Sequence, residues 1–184
     1  LLIHADQQLT ISGYNMQTGI RTNVFANVVE GGDIVLNARL FGDIIRRMPD
    51  DMITFTADEK MMVHVSCGDA DFDILGLSAA DYPDLPEVED EYAVSMQQKV
   101  LRSMIEEVAF AVSTNESRPV HTGALFEISD MCLNMVAVDG FRLAFRREKL
   151  EKLEGGAFSF VCPGSALSEV KSICGDTEDL VTVT

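Results

Sequence analysis

The side chains that could do chemistry are few and scattered. His4, His64 and His121 fall in separate segments of the 184-residue chain, and no G-x-S-x-G, H-E-x-x-H or glycine-rich phosphate loop surrounds any of them. Cys67, Cys132, Cys162 and Cys174 have no C-x-x-C spacing and no histidine at metal-ligand distance in sequence. They read as reduced thiols of a cytosolic protein, with disulfides left open. Carboxylates are abundant, yet none is placed by sequence as an acid and base pair. Asp69, Asp71 and Asp73 alternate with Ala70, Phe72 and Ile74, so a strand would put all three carboxylates on one face. A calcium loop would need glycine where Ile74 stands and glutamate at the twelfth place, and has neither. The expectation is no catalytic residue, no metal and no cofactor.

What remains is the chemistry of contact. Asp139-Gly140 lies between two apolar runs, Leu133 to Val138 and Phe141 to Phe145. Such a pair is a strong hairpin signal, since glycine takes positive φ freely and aspartate tolerates it. The plain reading is a surface turn. Against it, Phe141 and Leu143 alternate with Arg142, which leaves a cation among apolar side chains. Just upstream, Glu116-Ser-Arg-Pro-Val-His-Thr-Gly123 joins a helix to the strand Ala124 to Ile128 with residues suited to contact.

These residues must be positioned by strands and short helices. In the first half, Leu1 to Ala5, Leu9 to Ser12 and Ile20 to Val29 read as strands, and Ile34 to Leu36 as a short one. Asn37 can cap a helix from Ala38 to about Met48, which ends before Pro49. Leu40, Phe41, Ile44, Ile45 and Met48 share one face of it, while Arg39, Asp43 and Arg46 share another. Met52 to Thr56, Met61 to Ser66 and Asp69 to Leu77 read as three more strands. Ser78 to Glu91, with Pro83, Pro86 and Glu89-Asp-Glu91, has the content of a linker, which puts a boundary near residue 90.

The second half starts with a strand at Tyr92 to Ser95 and a helix from Gln97 to about Val112. Val100, Leu101, Met104, Ile105, Val108 and Val112 lie on one face, with Lys99 and Arg102 off it beside Glu106 and Glu107. The meander follows, then a charged turn from Glu148 to Glu154. From Phe158 the chain repeats itself. Ile34 to Ala38, a helix and Asp51 to Thr56 are echoed by Phe160 to Gly164, a helix and Asp179 to Thr184, at separations of 126 and 128 residues. The segment from Tyr92 is a weaker copy. Units of this kind can place their sheets side by side and their helices on one face.

Composition narrows the class. A chain that is 47% hydrophobic can bury a core. Its apolar runs fall far short of the about 18 residues of a membrane span, and it opens with no signal-peptide pattern, so a soluble, cytoplasmic protein is expected. A net charge of -16 argues against nucleic acid unless cations gather on an inner wall. The start at Leu1 without methionine and the stop at Thr184 in a strand pattern suggest a fragment.

Two motifs in this order, Ser113-Thr-Asn-Glu-Ser-Arg-Pro-Val-His-Thr-Gly123 and Ala137-Val-Asp-Gly-Phe-Arg-Leu-Ala144, closely resemble the second domain of the bacterial DNA sliding-clamp family, the beta subunits of DNA polymerase III. The resemblance runs along nearly all of the chain. It implies an α+β DNA-clamp fold of repeated strand, helix and antiparallel strand units, with helices on one concave face and sheets outside. Residues 1–90 would be the C-terminal part of clamp domain 1 and 91–184 an incomplete domain 2, with the third domain absent. The implied function is a non-catalytic processivity factor that encircles double-stranded DNA without sequence preference and forms a homodimeric ring. It would tether polymerase subunits, clamp loader and repair proteins through short peptide motifs.

By the same resemblance, a hydrophobic peptide pocket would be lined by His121, Val138, Gly140, Phe141, Arg142 and Leu143, where His121 replaces a common aliphatic residue. Arg39, Arg46, Lys99, Arg102, Asn115 and Arg118 would face DNA, although Ser165 stands where clamps often carry a basic residue. Leu40, Ile44, Phe72 and Ile74 would close the ring, the plainer alternative being core. Two other functions stand beside this one: a protein-interaction scaffold that never encircles DNA, and an acidic metal-dependent hydrolase.

Overall fold

The computed structural model describes residues 1–16, 18–88 and 91–184. The chain divides into two compact units, Leu1–Pro86 and Glu87–Thr184. The boundary expected near residue 90 falls on Glu89-Asp90, outside the described residues.

In the first unit β1 (Leu2–Ala5), β2 (Leu9–Tyr14) and β3 (Gly19–Val24) form a meander. A fourth strand, β4 (Gly32–Val35), pairs with the other side of β1, so the antiparallel sheet runs β3-β2-β1-β4. The strand expected over Ile20 to Val29 stops at Val24. That residue lies opposite Leu9, the first of β2, and the ladder ends with its partner. Phe25 and Val29 are left 99% and 93% exposed.

Helix α1 (Ala38–Ile45) starts where its cap predicts, with Asn37 Oδ1 accepting the Leu40 N–H at 3.0 Å. It stops short of Met48. The N–H groups of Arg47 and Met48 donate to Ile44 O at 3.0 and 3.1 Å, a tightened last turn ahead of Pro49. Then β5 (Thr54–Ala57), β6 (Met62–Cys67) and β7 (Ala70–Leu75) make a second antiparallel sheet in chain order. Asp69 belongs to the turn before β7, so only Asp71 and Asp73 share a strand face. The core of this unit is Ile3, Leu9, Ile34, Leu36, Phe41, Val63, Val65 and Ile74. Its trailing segment is tied back by Tyr82, whose hydroxyl donates to Ser12 O at 3.2 Å and accepts from Tyr14 N–H at 3.0 Å.

In the second unit β8 (Ala93–Gln97) runs directly into α2 (Gln98–Val108), which ends in a 3-10 turn at Ala109–Ala111 rather than continuing to Val112. The meander is β9 (Gly123–Ser129), β10 (Cys132–Val138) and β11 (Leu143–Lys149). Glu148 to Glu154, expected as a turn, holds the end of β11 and the short strand β12 (Lys152–Glu154), which pairs with β8. Then come β13 (Phe158–Pro163), α3 (Gly164–Ile173) and β14 (Leu180–Val183). Two antiparallel sheets result, β11-β10-β9-β13 and β12-β8-β14.

Leu101, Met104, Ile105 and Val108 recur at helical spacing on α2, and all are at most 1% exposed. They pack in one cluster with Phe126, Ile128, Leu133 and Met135 of the meander and Leu167 of α3. Burying such a row is what holds the helix on its sheets, at about 2–5 kcal/mol for each large side chain truncated to alanine. The repeat read in the sequence is also visible as topology. Each helix carries the chain out of one sheet and into another: β4 to β5 through α1, β8 to β9 through α2, β13 to β14 through α3.

Candidate functional site

The turn between β10 and β11 is wider than the two-residue hairpin that Asp139-Gly140 suggests. Val138 pairs with Leu143, and the four residues from Asp139 to Arg142 form the loop, so Phe141 and Arg142 stand outside the strand expected to contain them. The reason lies in one carboxylate. Asp139 Oδ1 accepts the N–H groups of Phe141 and Arg142, both at 2.9 Å, which takes those two amides out of the ladder. Gly140 follows with φ +94°, a conformation in which other residues are strained. Asp139 Oδ2 accepts from Arg142 Nε and Nη2 at 2.8 and 2.7 Å. The guanidinium also lies 5.7 Å from the centroid of the Phe110 ring, on the 3-10 turn after α2. Hydrogen bonds from the Phe141 amide, the Arg142 side chain and the Arg142 amide hold the Asp139 carboxyl down at about 2.

This arrangement leaves Phe141 99% exposed, with Leu143 67% exposed beside it. Val138 shares its sheet face with Leu143, and Gly140 forms the tip of the loop. His121 stands at the same end of the sheet, in the 3-10 turn Pro119–Thr122 that feeds β9. Gly123 comes next because a Cβ there would sit 2.3 Å from Cys162 O of β13. Sequence reasoning missed a neighbouring feature. Val161, Leu125, Val136 and Phe145 stand opposite one another across all four strands, on the face that also carries Val138 and Leu143. The period-2 alternation of each strand contains that signal, but the row exists only once the register is known.

The expected DNA-facing residues occupy both units. In the first, Arg39 lies on α1 and Arg46 caps its C-terminus, both exposed, and Arg46 Nη2 pairs with Asp43 Oδ1 at 2.7 Å. In the second, Lys99 and Arg102 lie on α2, one turn apart. Lys99 Nζ meets Glu178 Oε1 at 2.6 Å, a hydrogen bond that lowers the Glu178 pKa. Arg102 Nε is 3.5 Å from Glu106 Oε1, which Lys171 of α3 approaches at 3.7 Å. Asn115 organises its own loop, accepting from Ser117 N–H and Oγ at 3.0 and 2.5 Å, and Arg118 next to it is exposed.

Of the residues expected to close a ring, Ile74 is 2% exposed in the core of its unit and offers no surface. Phe72 and Leu40 are 42% and 48% exposed, and Ile44 is partly buried against the core. The carboxylates of β7 face a histidine: His64 Nδ1 lies 2.9 Å from Asp73 and Nε2 3.3 Å from Asp71. The Asp73 hydrogen bond is the main cause of a raised His64 pKa. Among the described residues, no three His, Cys, Asp or Glu side chains are grouped to hold a metal ion, and no helix is long and apolar enough to cross a membrane.

Comparison with known proteins covers both units. The family described as "DNA polymerase III beta subunit, N-terminal domain" matches residues 1–86, and "DNA polymerase III beta subunit, central domain" matches residues 95–184. The beta sliding clamp of Bacillus subtilis is 33% identical over 156 residues, 85% of this chain and 41% of that protein. That of Halalkalibacterium halodurans is 35% identical over 185 residues, 99% of this chain and 48% of the relative. The crystal structure of the B. subtilis DNA polymerase sliding clamp superposes with a TM-score of 0.92 at 29% identity, covering 98% of this chain and 50% of that one. A putative DNA polymerase III beta subunit from Eubacterium rectale gives a TM-score of 0.93 at 30% identity over the same shares. The chain thus spans about half the length of these relatives. With the N-terminal and central domain descriptions fitting in order, and with the fold shared along 98% of its length, the chain belongs to the family of bacterial DNA polymerase III beta subunits.

Proposed function

We propose that this chain is part of a sliding clamp, a non-catalytic processivity factor that encircles duplex DNA and tethers replicative and repair polymerases by their short peptide motifs. Clamp loader and repair proteins are the further partners, and the cytoplasm is the compartment. The observation that carries this reading is the succession of two clamp-domain matches along one chain. The physics is topological, since a closed ring stays on DNA without tight bonds and its cations need only touch phosphates weakly enough to slide. Residues 1–90 then belong to the first domain and 91–184 to the second, and a third domain outside these residues supplies ring closure and the far wall of the peptide pocket. That pocket uses His121, Val138, Gly140, Phe141, Arg142 and Leu143. Leu40 and Phe72 are the ring-closing candidates with surface to offer.

A second reading, a scaffold that never surrounds nucleic acid, is favoured by one observation: Arg46, Lys99 and Arg102 are each engaged by a carboxylate of their own chain. One experiment separates the two. The complete gene product is loaded onto nicked circular DNA by its loader, and the DNA is then linearised. A clamp is retained on the circle and released from the cut DNA, whereas a scaffold never loads.

A further inference from the structure

Asp139 is one of the most heavily engaged side chains in the second unit, and nothing in the proposed function so far uses it. It lies at the foot of the loop from Asp139 to Arg142, beside the residues assigned to partner binding. Its two oxygens divide the work. Oδ1 fixes the backbone of Phe141 and Arg142, and Oδ2 holds the Arg142 guanidinium through Nε and Nη2. Phe110 closes the arrangement from the other side, its ring beneath the guanidinium at 5.7 Å. Phe110 is itself 56% exposed, so without Arg142 over it the Phe141 ring would have an apolar surface to collapse onto.

We propose that Asp139 is a positioning residue of the peptide site: with Phe110 it locks Arg142 across the base of the loop and so holds Phe141 outward, beside Leu143, ready for an apolar partner segment. The role rests on the peptide-site reading given above. A loop of this length with glycine at its tip is mobile when nothing ties it down, and each side chain frozen on binding weakens the complex. Asp139 removes that loss beforehand. It does so without touching the partner, because its carboxyl is 14% exposed and turned to its own loop.

The test uses the complete gene product, whose third domain supplies the far wall of the pocket, and a panel of fluorescein-labelled pentapeptides, each carrying an adjacent pair of large apolar residues, read by anisotropy. D139A removes both oxygens. D139N keeps an oxygen for the two backbone amides but places an amide against the guanidinium. F110L removes the ring face and keeps the bulk. The expected result is that D139A weakens the best peptide about tenfold, with D139N and F110L intermediate. In the same samples the Arg142 Nε–H signal loses its protection from solvent exchange in D139A and D139N. Should D139A fail to fold, D139N and F110L decide the matter. If the native chain binds a peptide and the variants bind it within twofold, the positioning role is overturned and the peptide site stands. If the native complete protein binds none of the panel, the peptide site itself is overturned, and this role with it.

Discussion

At the scale of single residues, two carboxylate arrangements titrate in opposite senses. Asp139 is held near 2 because its charged form accepts the Phe141 amide, the Arg142 guanidinium and the Arg142 amide. Its folded value lies below the 3.8 of a free side chain, so its contribution is present above that value and disappears as pH falls through about 2. The Phe141 and Arg142 amide resonances are therefore expected to hold their positions down to about pH 3 and to move only near pH 2. R142A should bring that midpoint upward. His64 behaves the other way. Its pKa is raised by Asp73 first and Asp71 second, so what the cluster contributes is complete below the ordinary histidine value and is lost as pH rises through the raised one. An NMR titration of the imidazole should give a midpoint above 6.5, lowered more by D73N than by D71N. Equal effects of the two variants would show that the 2.9 and 3.3 Å contacts do not differ in strength.

At the scale of elements, the second unit depends on two contacts that differ in kind. The row Leu101, Met104, Ile105 and Val108 fixes α2 on the sheets, so L101A should lower the unfolding free energy of that unit by about 2–5 kcal/mol in urea titrations. Gly123 governs strand spacing instead. A Cβ at that position meets Cys162 O at 2.3 Å and Cys162 C at 2.9 Å, both backbone atoms that cannot step aside alone. G123A should therefore separate β9 from β13 and cost about 1–3 kcal/mol, visible as faster amide exchange along Leu125 to Ile128. Much of this was legible in the sequence. The α2 stripe, the Asn37 cap and the three-strand meander all announce themselves through period, cap chemistry or turn residues. The ends of β3, α1 and α2 were not legible, because a strand stops where its partner stops and a helix where a competing hydrogen bond wins.

At the scale of the whole molecule, charge and length govern what this chain does alone. The net charge is -16, and the α2 cations are engaged by Glu178 and Glu106. Duplex DNA should therefore be bound poorly, and what binding there is should fall steeply with salt. Since the chain spans about half of its relatives, with ring closure assigned to a third domain, sedimentation velocity should find no closed dimeric ring. A stable closed dimer of the 184-residue chain would overturn that assignment.

Sequence alone determined the class of this protein. Periodicity marked the helices and most of the strands, the 126- and 128-residue echoes exposed the repeated unit, and two motifs around His121 and Asp139 pointed to the family. Those signals are local, and local signals survive in a linear string. Tertiary structure decided what lies together. Only the register across β13, β9, β10 and β11 aligns Val161, Leu125, Val136 and Phe145 in one row. Only folding buries Ile74 while leaving Phe72, two residues away on the same face, half exposed. Only the docking of the α2 end against β11 puts Phe110 under Arg142. Each of these is a contact between residues far apart in the chain or an accident of where a sheet ends, and neither leaves a mark on the residues taken one at a time.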